Sequence, residues 1–167
     1  MNECAITDSA MNLRRRGFTL IEVLVVLAIL GVLGAAARPL LELQVQRGKE
    51  RELREALRTL RTAIDAYRQA VLAGQVSRLP GDSGYPPNLS VLTMGVPDMR
   101  SGTNQQIYFL RRLPRDPFAD AALPAAETWS LRSASSPPEA PQPGRDVFDV
   151  MSKVERKALD GSVYSQW

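Results

Sequence analysis

The sequence predicts an α+β protein: a long N-terminal α-helix, with a transmembrane half and an amphipathic half, packed on a small antiparallel β-sheet head. Three observations predict it. Residues 18–37 are almost wholly apolar with Glu22 as their only charge, the apolar residues from Leu53 to Val71 recur at helical spacing, and the rest of the chain carries only short strand-like runs among prolines and glycines. The implied divisions are a basic leader at 1–17, a membrane-length helix half at 18–37, an amphipathic half at 38–73 and a globular head at 74–167.

Composition narrows the chemistry. The 167 residues carry a net charge of +3, with 44% hydrophobic residues, no histidine and one cysteine, Cys4. Histidine bases, Cys/His nucleophiles, His- or Cys-based zinc sites and an intrachain disulfide are therefore absent from the options. Oxygen ligands for a hard cation and carboxylate-only mechanisms remain. Basic and acidic residues alternate, which is no footprint for nucleic acid. The one clear basic run is Arg14, Arg15 and Arg16.

The first element follows those arginines. The twenty residues from Phe18 to Ala37 would reach about 30 Å as a helix, the thickness of a bilayer core. Basic residues directly before the span keep the N-terminus cytoplasmic and send the rest across. Three readings compete. A plain signal anchor accounts for everything but Glu22. A secretory signal peptide would use Gly34, Ala35, Ala36 and Ala37 as a small-residue cleavage site, but the run is long for the 7–15 residues usual there and carries a charge. The third reading starts from Glu22, since a carboxylate inside a span costs about 2.5–3.5 kcal/mol at its centre and so needs a partner. A cut after Gly17 would create an α-amino group on Phe18, one helical turn away, and remove the arginines.

The stretch R-R-R-G-F-T-L-I-E followed by an apolar run resembles the N-terminus of type IV pilins and of the pseudopilins of type II secretion systems. The resemblance implies a prepilin peptidase that cleaves between Gly17 and Phe18 and methylates Phe18, with Glu22 pairing with a neighbouring subunit's terminal amine during assembly. Met11 offers an alternative start, giving the compact leader MNLRRRG. It also implies single-pass insertion in the inner membrane with a periplasmic head.

Beyond Pro39 the pattern becomes amphipathic. Leu53, Leu57, Leu60, Ile64, Tyr67 and Val71 are spaced by 4, 3, 4, 3 and 4, one stripe along a helix. Charged residues fill the other positions; Glu50 with Arg54 and Arg51 with Glu55 stand at ion-pair spacing on what reads as a solvated face. Pro39 and Gly48 predict a kink or loosened turn rather than an end, and Gly74 a stop near Ala73. The whole helix would run on the order of 80 Å.

In the head, 76–102 reads as a loop with a short helix near Leu89–Thr93. Gln105–Leu110, Thr128–Arg132 and Val147–Met151 read as strands, and Ser133–Gly144, with four prolines, as a loop. "YFLRRLPRDPF", Tyr108 to Phe118, resembles the segment where the major pseudopilin of type II secretion enters its sheet; a Pro-bounded strand exit with Asp116 capping a turn is the plainer reading. The missing cysteines also favour pseudopilins over pilus pilins. This resemblance implies a structural, non-enzymatic subunit that polymerises with itself and with minor pseudopilins on an inner-membrane assembly platform whose ATPase is a separate partner. No cofactor is required by it. Calcium in a C-terminal loop is the one implied ion, and Asp149, Ser152 and Asp160 are its candidates here. Three side chains need carbonyls and water to complete six to eight oxygens. The tail departs from the family's Gly-rich, acidic pattern with Lys153, Glu155, Arg156 and Lys157, and Asp160-Gly161 also reads as a simple turn, Asp149 as an exposed strand residue. A type IV pilus or DNA-uptake pilin, and a soluble secreted protein (binding module or carboxylate-based hydrolase) cut near Ala37, are the alternatives.

Overall fold

The computed structural model describes residues 17–103 and 105–167, and of residues 36–40 the backbone alone. Arg14, Arg15, Arg16, Cys4 and both candidate starts lie outside the described residues. The chain divides into two compact units, Met1–Glu42 and Leu43–Trp167. The helix α1, Leu20–Leu72, belongs to both, and each unit is described by itself.

In the first unit, α1 begins where Thr19 caps it. The Thr19 hydroxyl accepts the Glu22 N–H at 3.3 Å, and the Thr19 carbonyl accepts the Val23 N–H at 3.3 Å. That satisfies one of the orphan donors of a helix start. The backbone stays helical through Pro39, so the interruption predicted there is, as expected, no end of the helix. Gly48 lies within the helical run, at a cost of about 1 kcal/mol relative to Ala, and no atom comes within 4 Å of where its Cβ would stand.

In the second unit, the predicted stripe is the core. Leu53, Leu57, Leu60, Ile64, Tyr67 and Val71 are all buried, with Ala56, Ala63 and Ala70 beside them at seven-residue intervals. These small residues join the same core, in which each large side chain stabilises by about 1.5–3 kcal/mol on burial. Trp129, Val147, Val150, Leu89, Leu92 and Tyr164 fill the other side. The helix stops in a Schellman motif at the predicted glycine: Gly74, φ 72°, donates to the Val71 carbonyl at 3.0 Å and Gln75 to that of Ala70 at 2.9 Å.

The head differs from the single sheet that three strands would make. Among the described residues it has two separate antiparallel pairs: β1 (Val96–Pro97) with β2 (Gln106–Ile107), and β3 (Trp129–Arg132) with β4 (Asp149–Ser152). The short helix α2 is Val91–Met94, with the Asn88 side chain accepting the Val91 N–H at 3.1 Å. The strand predicted over Gln105–Leu110 shortens because Phe109 and Leu110 both donate to the Leu92 carbonyl, at 3.1 and 2.9 Å, closing the end of α2 instead of extending a ladder. β1 has no strand-like signal, since Pro97 lacks an N–H. β4 starts later than predicted because Val147 donates to the Pro86 carbonyl at 2.8 Å. In β3–β4, Trp129 faces Ser152 and Leu131 faces Val150.

Asp116 ties the LPRDPF segment to that pair. It is fully buried. Its backbone N–H donates to the Thr128 hydroxyl at 3.2 Å, and its carboxylate accepts the Phe118 N–H at 2.8 Å and the Ser152 hydroxyl at 2.5 Å. The Trp129 indole N–H donates to the Pro114 carbonyl at 3.0 Å. Asp116 thus caps its own turn and also bridges to β4. Replacing it with Ala strands both donors in a dry site, so D116A is expected to cost about 2–4 kcal/mol of stability, and D116N distinctly less because the amide oxygen still accepts Phe118. Urea midpoints at constant m-value check both.

Candidate processing and assembly site

The bond between Gly17 and Phe18 lies just ahead of the capped helix. Gly17 has no atom within 4 Å of a Cβ position, and Phe18 is 81% exposed. With Thr19 as N-cap, Phe18 is the residue before the cap, Glu22 the third helical position and Val23 the fourth. The sequence T-L-I-E is therefore a capping-box pattern, with Phe18 and Val23 at the positions of a hydrophobic staple. Both were legible in the sequence, and neither is needed to explain the apolar run. The box is half made: Thr19 accepts from Glu22, while among the described residues nothing pairs with the Glu22 carboxylate. An acidic residue in the first turn is favoured by the helix dipole by about 0.3–1 kcal/mol. This lowers the cost of Glu22 and leaves its charge available.

The apolar half of α1 is uncovered. From Leu20 to Leu33 every large apolar side chain is exposed, from 48% at Val23 to 80% at Leu20. An unbroken apolar surface of this size marks a lipid or protein contact. Among the described residues no helix is long and apolar enough to cross a membrane. The predicted span of 18–37 includes residues 36 and 37, whose side chains lie outside the described residues.

The calcium candidates each have a different partner. The Asp149 carboxylate accepts Arg61 Nε at 2.7 Å and its neighbour Val150 N–H at 2.8 Å. The Ser152 hydroxyl donates to Asp116. Asp160 accepts the Ser162 N–H at 3.0 Å and hydroxyl at 2.5 Å, and Arg54 at 3.0 Å. The Ser162 bonds, more than Arg54, hold the Asp160 carboxyl below its ordinary value. Among the described residues no three acidic side chains converge on a point that could hold a metal ion. A calcium cage needs six to eight converging oxygens, and this donor set does not fit it.

A cavity of about 730 Å³ opens elsewhere in the second unit, lined by Tyr67, Asp82, Tyr85, Ser133 and Asp146 among others. Burial pushes Tyr67 up, reinforced by Asp82. At Asp146, partial burial would raise the carboxyl, but Ser133 and Ser83 hydroxyls, the Ala134 N–H and the Arg145 charge outweigh it and hold the group below its ordinary value.

The family model of the prokaryotic N-terminal methylation motif matches residues 12–37. No curated protein and no solved structure matches the chain. The match spans the three arginines, the Gly17–Phe18 bond, Glu22 and the apolar half, so the chain carries the signal of a type IV pilin-like prepilin, the kind that prepilin peptidase processes for filament assembly.

Two expectations follow from this geometry. T19A removes the cap at a cost of about 1 kcal/mol, and the exchange of the Glu22 amide should accelerate while the Leu53–Val71 amides stay protected. Asp146 and Asp160 both titrate lower folded than unfolded, so their stabilisation is complete above about pH 4, the unfolded value, and is lost as pH falls through their lower folded values. S133A should therefore lower the melting midpoint at pH 7, with the gap to the parent closing in the acid limb below pH 4.

Proposed function

We propose that the chain is a structural, non-enzymatic subunit of a type II secretion pseudopilus. The observation that carries this is the methylation-motif match over 12–37, joined to an exposed Gly17–Phe18 bond and an uncovered apolar helix half. Prepilin peptidase cuts after Gly17 and methylates Phe18. The apolar half holds the subunit in the inner membrane with its head in the periplasm, until neighbouring copies replace lipid around it. Glu22 then meets the terminal amine of an adjacent subunit. Minor pseudopilins, an assembly platform and a cytoplasmic ATPase complete the machine, and the filament drives protein export across the outer membrane.

Support for the secretion branch comes from the LPRDPF segment. Its Asp116 is fully buried and holds the turn to β4, so these residues are part of the head's framework rather than an incidental loop. A pilus or DNA-uptake pilin shares the N-terminal signal and would differ in phenotype: loss of the chain would abolish surface pili or transformation and leave exoprotein secretion intact.

The mature N-terminus is the direct test. N-methyl-Phe18 is expected by N-terminal sequencing and intact mass, whereas a terminus at Arg38 would show release by signal peptidase and end the filament reading. E22A should leave cleavage and insertion unchanged and reduce filament yield, read as cross-linked multimers, at least tenfold, matching the loss of an ion pair worth more than about 1.4 kcal/mol. Normal filament yield from E22A would remove the pairing role.

A further inference from the structure

We propose that two arginines of α1 take the place of a bound cation in the head, so that residues 149–167 are held on the helix without calcium or another divalent ion. Three polar side chains of α1 converge on this segment. Glu50, Arg54 and Arg61 stand four and seven residues apart, on one face of the helix. Arg61 does most. Its Nε donates to the Asp149 carboxylate at 2.7 Å, and one Nη donates to the Val150 carbonyl at 3.1 Å and the Trp167 carbonyl at 2.6 Å. One planar cation thereby joins β4 to the last residue. Arg54 donates to Asp160 at 3.0 Å and lies over the Trp167 ring at 4.0 Å. Glu50, 5% exposed, accepts the Tyr164 hydroxyl at 2.9 Å, the Leu159 N–H at 2.9 Å and the Gln46 amide at 3.1 Å.

The charge arithmetic leaves little for a metal. Asp149 and Asp160 each already face a guanidinium, and Ser152 is committed to the buried Asp116. A divalent ion placed among them would meet two cations that stay protonated at every working pH. Its six to eight oxygens would have to be found by breaking bonds already made. The two pairs differ in weight. Arg54 and Asp160 are about half exposed, where a salt bridge contributes little; Arg61 is the stronger because its fork serves three acceptors at once. The inference concerns the head alone, and stands or falls independently of how the N-terminus is processed.

The test uses the full chain in detergent micelles, melted with tryptophan fluorescence as the signal. The parent midpoint should be the same in millimolar calcium and in excess chelator. A calcium site with a Kd near 10⁻⁴ M would raise it by several degrees under the first condition. R61A should lower the midpoint by about 10 °C, R61K by roughly half of that, and R54A by only a few degrees. Calcium-dependent melting of the parent would overturn the proposal, as would an unchanged midpoint for R61A. Should R61A fail to fold, the parent's calcium response and the R61K midpoint decide the same question.

Discussion

The head cannot exist without the stripe on α1. Two-stranded sheets are marginal at best in water, and among the described residues this head has two of them, separated by loops and short turns. What makes them one body is that Trp129, Val150, Leu92 and Tyr164 all bury against Leu53, Leu57, Leu60 and Ile64. The stripe in turn has no other reason to avoid water. Helix and head therefore fold as one cooperative unit, which is why the compact body begins at Leu43, inside the helix, and not after it. The polar bonds of Asp116, Glu50 and Arg61 act on top of this. They choose one arrangement of loops around a core that burial has already favoured.

The two halves of α1 solve opposite problems with one secondary structure. In the second half apolar residues keep to a stripe, so the head can cover them and charges can serve the rim. In the first half apolar residues surround the axis, and every large apolar side chain from Leu20 to Leu33 is exposed. A helix apolar all round must be buried in something. Lipid and identical neighbours are both adequate, because either matches a featureless apolar cylinder, and exchange between them needs no rearrangement of the head.

Much of this was legible in the sequence, for identifiable reasons. The 4-3-4-3-4 spacing is a strong periodic signal, and every residue of it is buried. Gly74 reads as a stop because only glycine takes the positive φ of the cap cheaply. The strands were legible only in part. β3 and β4 are found within two residues, but β1 contains Pro97 and consists of two residues whose pairing depends on Ile107 arriving from the far side of a loop. Nor does spacing tell which charges face the head. Glu50 has the i, i+4 partner Arg54 of a solvated face, yet it is buried against Tyr164 while Arg54 turns to Asp160, because the tail returns over this part of the helix. The capping box T-L-I-E is written at the candidate site, because a threonine three residues before a glutamate at the head of an apolar run is a helix-start pattern whatever else the run does.

That chemistry changes what Glu22 needs from a partner. In the first turn it is stabilised by the dipole and by exposed N–H groups, so the uncut chain can carry it near the interface without a cation. A cut after Gly17 adds an amine one turn away, but two unit charges about 4 Å apart attract by only about 1 kcal/mol in water and by about 4 kcal/mol at an effective dielectric of 20. The pair is therefore weak while water reaches it and strong once apolar neighbours exclude water. In the proposed filament the same packing that covers Leu20 to Leu33 is what strengthens the ion pair. Apolar contact supplies the attraction and the charge fixes the axial position, since a sliding subunit would leave a carboxylate dry and unpaired.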